Sequence, residues 1–394
     1  LNPAGLMAFD GTRVEFGFEM FKPDRTLSSD ASAIGFGSGS TQSKSDWVPI
    51  PAMAFSTKLN NDKVVLGVGG LAIGGFGVDY PASTTNPILA PRPNGFGQIY
   101  SNYGLLKLSP TVAFAASEKL WFGISGIVNW ASLAVDPLPL GAPAVDPGPD
   151  GMPGTLDDRA FFSSGAATDG AFGVGAQVGV IYHFNDMVAI GASFQTPQWF
   201  EDLEFNTTWA NPNLPNFGTP RVIAFNLDIP AFMGAGIAIN AAPNLLLAGD
   251  FRYILYSGAD GFKIEGPGVF NTDGSVKAFG WENIASIHAG VDYRASDKFS
   301  VRAGYNWSEN PVPDSLSFIN APAPGIVQHH VTFGVGFRPS RRFEISAAYY
   351  HAFSNTGTGE FLNPAIPPGT TSVTNELKED SILIQFSFAT RGSI

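Results

Sequence analysis

Four carboxylates near the middle of the chain have a spacing that could bind a metal ion. They are Asp146, Asp150, Asp157 and Asp158, within the segment DPGPDGMPGTLDD. If Asp146 is position 1 of an EF-hand-type loop, Asp150 is position 5 and Asp157 is position 12. Gly151 then occupies position 6, where the turn favours glycine, although position 3 also holds a glycine instead of a ligand. Oxygen ligands favour Ca²⁺ over transition metals, so we predict a structural Ca²⁺ site here, against the alternative of a solvated acidic turn.

The other reactive side chains form no catalytic pattern. The sequence contains no cysteine, and its single histidine cluster, His329-His330, is interpreted as a pair at the rim of the fold. No nucleophile elbow, phosphate-binding loop or metalloprotease motif occurs. A net charge of −12 opposes binding to phosphate-rich polymers. We therefore predict no enzyme, no required cofactor and no nucleic-acid partner.

The candidate residues must be positioned by strands. Only 14% of the residues are charged, against about 25% in a typical soluble protein. No apolar run approaches the roughly 18 residues of a membrane helix. Instead, apolar and polar residues alternate. Over 298–308, Phe299, Val301 and Tyr305 fall on one face of a strand, and Lys298 and Arg302 fall on the other. Many such segments indicate a barrel with an apolar exterior.

The alternating segments predict an all-β fold, a fourteen-stranded antiparallel transmembrane β-barrel. Short turns such as 60–62 and 185–186 alternate with long loops, the longest of which spans 133–170. Outer-membrane barrels have periplasmic turns and extracellular loops, so we expect a bacterial outer membrane and periplasmic termini. Strands this long and numerous disfavour a soluble β-sandwich. The predicted strands are residues 12–22, 47–58, 63–75, 97–116, 119–132, 171–184, 187–204, 221–240, 243–257, 279–294, 297–308, 326–338, 341–353 and 373–389.

Several short motifs resemble one family of outer-membrane proteins. Asn2, Pro3 and Ala4 match the Asn-Pro-Ala motif of the FadL family of transporters for long-chain fatty acids and hydrocarbons. Further resemblances follow in the family's order. They are Phe225–Pro230, Asp250–Tyr253, Ser308–Pro313 and Tyr349–His351.

The resemblance implies a barrel whose lumen is plugged by an N-terminal hatch. Residues 1–11 would be the end of that hatch and residues 12–390 the barrel. Eleven residues are too few to plug a barrel of this width, so we expect most of the hatch to lie upstream. The resemblance also implies that ligands leave sideways into the bilayer beside a kinked third strand. Gly74, Gly75, Phe76 and Gly77 are the corresponding gate residues here, against the alternative of an ordinary glycine-rich strand.

The ligand itself is expected to meet the long loop first. Leu138, Leu140, Phe161 and Phe162 make the loop 133–170 unusually apolar, which is costly on an exposed loop unless it packs or binds something. By position this loop corresponds to the family's capturing loop. The alternative is a lid folded over the barrel mouth.

Two inward basic residues are candidates for an anionic ligand, Arg252 and Arg302. Ion pairing within the lumen is the alternative role. Glu282 or a neighbour stands where fatty-acid carriers are expected to have a basic residue, so fatty acids, alkanes and aromatic hydrocarbons all remain open as substrates. The predicted function is passive uptake of hydrophobic compounds by a monomer surrounded by lipid and lipopolysaccharide. The alternatives are a general porin and an outer-membrane lipid-acting enzyme.

Overall fold

A ring of fourteen strands organises the computed structural model, which describes residues 2–59, 62–152, 155, 157–166, 168–363 and 365–390. The predicted strand number is therefore confirmed. The barrel strands are β1 (Thr12–Asp30), β2 (Val48–Lys58), β3 (Val64–Tyr80), β4 (Ile99–Ala115), β5 (Leu120–Asp136), β6 (Ala171–His183), β7 (Val188–Gln195), β8 (Ala231–Ala242), β9 (Leu245–Leu255), β10 (Ile284–Arg294), β11 (Phe299–Ser308), β12 (His329–Ser340), β13 (Phe343–Gly359) and β14 (Ser372–Ala389).

Antiparallel pairing between neighbours continues around the whole ring. The last strand closes on the first, from Arg13 opposite Ala389 to Asp30 opposite Ser372. Short connections lie at the end where β1 begins and β14 finishes, and the long loops lie at the other end. We refer to the long-loop end as extracellular, as in outer-membrane barrels. Residues 60 and 61 of the predicted turn, and Leu1 of the predicted hatch motif, lie outside the described residues.

The outer surface of the barrel is apolar. Outward side chains such as Phe333 and Val335 on β12 are 59% and 55% exposed, and Phe172 on β6 is 57% exposed. Soluble monomers do not carry an apolar belt of this extent, so the belt faces hydrocarbon. Among the described residues, no helix is both long and apolar enough to cross a membrane.

Two predicted strands, 187–204 and 221–240, are wrong in extent. The barrel strands there are shorter, because β7 ends at Gln195 and β8 begins only at Ala231. Pro197 follows β7 and cannot donate a ladder hydrogen bond. Trp199–Phe200 returns to the barrel sheet opposite Val174 and Gly173 of β6, and the rest of the chain up to β8 folds into the extracellular loops.

The alternation that suggested those longer strands belongs to a separate hairpin. Leu203–Thr208 pairs with Pro220–Phe225 outside the barrel. Its apolar side chains, Leu203 and Phe205, are 1% and 0% exposed. They pack against other loops rather than against lipid. The alternation of apolar and polar residues along a strand is the same in both environments, so it does not distinguish them.

Several strands are longer than predicted at their extracellular ends. β1 continues past residue 22 to Asp30, β3 past residue 75 to Tyr80, and β13 past residue 353 to Gly359. These extensions have polar outward residues, such as Thr26 and Ser28, because they rise above the apolar belt. The loss of apolar alternation therefore marked the edge of the membrane rather than the end of the strand. The loop predicted at 133–170 correspondingly begins after Asp136.

The N-terminal segment lies inside the lumen. Pro3–Ala8 forms a 3₁₀-helix, capped by the Asn2 side chain, which accepts a hydrogen bond from the N–H of Ala4. The Asn2 amide also donates to the backbone carbonyls of Val180 on β6 and Ala192 on β7, both at 2.9 Å. The predicted motif thus attaches this segment to the barrel wall.

Glycines in the wall make room for this attachment. A Cβ at Gly179 would overlap the Asn2 side chain, and one at Gly123 would overlap the backbone of Pro3 and Ala4. Neither glycine has a positive φ, so the requirement is for space rather than for an unusual backbone conformation.

We expect Gly179→Ala to displace the N-terminal segment, because the added methyl occupies the space of the Asn2 amide. The expected cost is about 1–3 kcal/mol of stability, the range for overpacking. Limited proteolysis of the first ten residues and heat-modified gel mobility would measure both effects. Gly249→Ala is the matched control, since its Cβ would meet nothing closer than 3.9 Å. Equal behaviour of the two variants would contradict the attachment.

Candidate functional site

Aromatic side chains from two extracellular loops form a layer over the barrel mouth. Phe279 lies at its centre, with ring centroids 5.8 Å from Phe262, 6.1 Å from Phe225 and 6.4 Å from Trp281. Tyr256 packs edge-on against the rings of Phe262 and Trp281. We call these five residues the aromatic layer.

Two of the predicted capture residues support this layer. Leu138 is 0% exposed within the same apolar cluster, and Leu140 packs against that cluster. Burial here raises the pKa of the Tyr256 hydroxyl to about 12. Burial also raises the pKa of Asp228, whose carboxylate accepts a hydrogen bond from the N–H of Phe200. The surroundings of the layer therefore disfavour charge.

The other two predicted capture residues do not belong to this apolar cluster. Phe162 lines an apolar cavity of about 50 Å³ together with Phe96, Phe318 and Phe270. The Phe96 ring centroid is 5.8 Å from that of Phe162 and 5.6 Å from that of Phe318. Phe161 instead belongs to a small loop hairpin, opposite Ala144. We call the cavity lined by Phe96, Phe162, Phe270 and Phe318 the loop groove.

The predicted gate residues form a β-bulge in β3. Gly74 pairs with Gly104 and Gly77 pairs with Asn102, so Gly75 and Phe76 together oppose Tyr103. A Cβ at Gly75 would overlap the Tyr103 ring, which explains the glycine there. The bulge directs Phe76 inward, where it stacks on Tyr103 at 5.3 Å and meets Phe279 edge-on at 5.7 Å. The bulge therefore contacts the aromatic layer directly.

The opposite edge of β3 has a gap in its hydrogen bonding. The β2–β3 ladder runs from Lys58 opposite Val65 to Ala52 opposite Leu71, and within the described residues it goes no further. Above that point β2 pairs only with β1, through Val48–Pro51. Pro49 and Pro51 lack the N–H that a ladder requires. We call this stretch, residues 48–51 of β2 facing residues 72–76 of β3, the lateral window.

The wall closes again above the lateral window. The loop after β1 contacts the top of β3, where the N–H of Lys44 donates to the carbonyl of Asp79 at 2.8 Å. The N–H of Asp79 donates in turn to the Ser43 hydroxyl at 2.9 Å. The lateral window is therefore bounded above by this loop and below by the paired part of β2 and β3.

The two predicted basic residues have different surroundings. Arg302 forms ion pairs with Asp292 at 2.8 Å and with Glu344 at 3.3 Å, which occupies it within the lumen wall. Arg252 lies over the Phe232 ring at 4.6 Å. It lines a luminal cavity of about 530 Å³ beside Asn2 and His288. Arg302 also borders a luminal cavity, of about 330 Å³, but its guanidinium is already paired, whereas Arg252 faces the cavity beside the N-terminal segment.

Glu282 lies in an exposed part of the loop before β10, where its N–H donates to the carbonyl of Pro311. Its neighbour Trp281 belongs to the aromatic layer and donates from Nε1 to Asn320. The predicted position was Glu282 or a neighbour, and of these Trp281 packs in the aromatic layer.

The four predicted calcium ligands are held by local hydrogen bonds. Asp157 accepts from the Thr155 hydroxyl at 2.7 Å, which lowers the pKa of Asp157, and from the N–H of Asp150 at 3.3 Å. Asp146 accepts from the amide of Asn213 at 2.6 Å. Asp158 lies near the Thr155 hydroxyl. Within the described residues, no three acidic or histidine side chains converge as a metal site would require. Calcium binding stays a prediction.

Sequence reasoning missed several residues that shape this region. Tyr103 and Phe279 contact the bulge, but each reads as one aromatic residue among 33 Phe and 10 Tyr. The Pro49-x-Pro51 pattern was a usable signal, because two prolines at alternate positions of a strand remove donors from one edge.

This fold defines the class of the protein. The barrel is closed and has an apolar belt, apolar loops lie at its mouth, and a segment of the chain lies inside its lumen. These features define an outer-membrane transport channel. The chain belongs to the family described as "Outer membrane protein transport protein (OMPP1/FadL/TodX)", which matches residues 1–388. That family consists of transporters of hydrophobic substrates, so the chain is a passive channel and not an enzyme.

Solved structures share the fold at low sequence identity. The toluene transporter TodX of P. putida is 18% identical with a TM-score of 0.72, covering 99% of this chain and 93% of that one. The toluene transporter TbuX of Ralstonia pickettii is 19% identical with a TM-score of 0.66, at 98% and 92% coverage. A FadL homologue of Pseudomonas aeruginosa is 13% identical with a TM-score of 0.70, at 99% and 93% coverage. No curated protein matches the chain.

We expect Phe76→Ala to loosen the aromatic layer, because Phe76 packs between Tyr103 and Phe279. The expected loss is about 2 kcal/mol, below that of a fully buried phenylalanine. Hydrogen exchange of residues 256–283 would measure it. Phe333→Ala, on the lipid-facing surface, is the control and should leave those loops unchanged. Unaltered exchange in Phe76→Ala would show that the bulge and the layer are independent.

If the acidic loop binds Ca²⁺, calorimetric titration of the protein should release or absorb heat at one site per chain. Asp157→Asn and Asp150→Ala should abolish that heat, because each removes a ligand. Asp273→Asn, in another extracellular loop, is the control. No heat from the parent protein would end the calcium hypothesis.

Proposed function

We propose that the protein takes up hydrophobic compounds by capturing them at the loop groove and releasing them sideways through the lateral window. The observation that carries this proposal is the gap between β2 and β3. In hydrocarbon an unpaired backbone group costs several kcal/mol, so a membrane barrel has strong reason to keep its ladders complete. An interruption bordered by two prolines and a glycine bulge is therefore best explained by a function.

Capture is supported by the chemistry of the loops. Phe96, Phe162 and Phe318 present aromatic surface at the extracellular end, and the aromatic layer lies deeper on the same path. Such surfaces bind apolar molecules with little directional requirement. A cavity of about 50 Å³ is small, so a ligand would have to part the rings to enter.

Sideways release is supported by solvation. Moving a buried CH₂ group into water costs about 0.8 kcal/mol. A sixteen-carbon chain would thus lose roughly 12 kcal/mol on passing through the lumen into the periplasm. Leaving through the wall keeps the chain in an apolar environment throughout. The N-terminal segment, attached to β6 and β7, also occupies part of the direct route.

The proposed substrates are long-chain fatty acids, alkanes or aromatic hydrocarbons. We propose that the channel acts as a monomer within lipid and lipopolysaccharide. A general porin is the competing function. It would require a wide polar lumen, whereas here the loops over the mouth are apolar.

Closing the lateral window should stop uptake. The chain lacks cysteine, so Pro51→Cys with Ala72→Cys places one new pair one register beyond the last β2–β3 pairing. Oxidation should slow uptake of labelled hexadecane, toluene or palmitate by cells about tenfold, and a reductant should restore it.

The matched control is Phe55→Cys with Val68→Cys, which are already opposite each other in the paired ladder. Its oxidation should leave uptake unchanged. Normal uptake by the cross-linked window variant would contradict sideways release. If deleting the protein alters sugar permeability but none of the three apolar compounds, the porin alternative is favoured.

A further inference from the structure

The wall that contains the lateral window is almost free of charge. Among the described residues of strands β3 to β7, Lys107 is the single lysine or arginine. The acidic residues of these strands are Asp79 and Asp136, both at extracellular ends. The charged luminal residues discussed above, including Arg252, Arg302 and Glu344, lie on β9 to β13. A lone cation on the uncharged wall therefore requires an explanation.

Lys107 points into the lumen. Its neighbours Leu106 and Leu108 are 52% and 48% exposed on the lipid side, so alternation turns Lys107 inward. Its ammonium donates to the side-chain oxygen of Gln195, on β7, at 3.2 Å. This contact crosses the luminal face of β5 and β6, which confirms the inward direction.

No ion pair of the described residues includes Lys107. Both acids of this wall belong to its extracellular edge, since Asp79 and Asp136 pair with Tyr100. That position lies seven residues along β4 from Lys107, or about 23 Å at the rise of a strand. An ammonium has three donors, and the amide oxygen of Gln195 accepts one of them without supplying charge.

The position of Lys107 relative to the lateral window is specific. It lies directly opposite Leu71, the last residue of β3 that still pairs with β2. Leu71 also points inward, yet its side chain is 42% exposed, so the space beside it is open. Lys107 therefore stands at the inner lower edge of the window, next to an accessible apolar surface.

We propose that Lys107 binds the anionic head group of a long-chain amphiphile while the apolar chain lies against Leu71 and leaves through the lateral window. Ionisable residues at membrane depth commonly mark substrate paths, and here an anionic head group would supply the charge that the wall around Lys107 lacks. The inference rests on the proposed sideways release and narrows its substrate class to monoanionic chains such as fatty acids.

The test compares two probes of equal chain length, radiolabelled palmitate and radiolabelled hexadecane. Lys107→Met removes the charge and keeps the length of the side chain. It should raise the half-saturating palmitate concentration about tenfold or more, as expected for loss of a charged hydrogen bond, and leave hexadecane uptake unchanged. Lys107→Arg should retain most palmitate uptake.

A second variant addresses the same ammonium without removing it. Gln195→Glu gives Lys107 a permanent counter-charge, which should compete with the head group and weaken palmitate binding to the purified protein. Arg252→Met tests the competing basic residue on the opposite wall, and Lys298→Met, in the short turn before β11, is the control that should not change palmitate uptake. Heat-modified gel mobility would establish that each variant is folded.

The outcomes separate the two proposals. If the parent protein carries neither probe and no toluene, the proposed function fails. If it carries toluene alone, the function stands and the head-group site is wrong. If the parent protein carries hexadecane but not palmitate, the proposed function stands and the head-group site is wrong. The same conclusion follows if Lys107→Met changes the uptake of both probes equally, or changes the uptake of neither probe. Loss of palmitate uptake in Arg252→Met but not in Lys107→Met would assign the head group to the other wall.

Discussion

Backbone hydrogen bonding in a medium without water is the constraint on which this structure depends. A strand facing hydrocarbon must find partners for every N–H and C=O, and closing the sheet into a ring is the one arrangement that provides them for strands. The pairing of β14 with β1 over its full length satisfies this requirement. The same constraint gives the β2–β3 gap its meaning, since it interrupts an otherwise continuous ladder.

The outer surface of the barrel has one chemical character, whereas its luminal surface has two. The outer belt repeats the same apolar chemistry from strand to strand. The luminal wall of β9 to β14 carries ion pairs such as Arg302 with Asp292. On the wall of β3 to β7, Lys107 is the single lysine or arginine among the described residues. The N-terminal segment attaches to the second wall through Asn2. Glycines in β5 and β6 allow that close approach, so the sequence of the wall and that of the segment are matched.

The sequence predicted much of this architecture because alternation is a direct consequence of strand geometry. Strand number, face assignment and the bulge in β3 all followed from residue patterns or family resemblance. The predictions failed where the pattern carries no information about partners. The alternation in 203–208 indicated a strand correctly, but only tertiary packing decides that Leu203 and Phe205 face other loops.

Site residues were harder to predict for the same reason. The apolar character of Leu138 and Phe162 was evident, whereas their separation into a supporting cluster and an outer groove depends on contacts between distant loops. Arg302 and Arg252 looked equivalent as inward arginines. Their difference arises from Asp292 and Glu344, which the fold brings to Arg302. The sequence did not single out Lys107, because the lack of charged residues around it depends on which strands the fold places beside it.

Phe76 belongs to two structures at once. It is part of the barrel wall through the bulge, and it packs against Phe279 in the layer that covers the mouth. Any ligand whose binding moves Phe279 must therefore change the free energy of the bulge as well. Thermodynamic reciprocity then requires that a change in the bulge alter ligand affinity at the loops by the same factor.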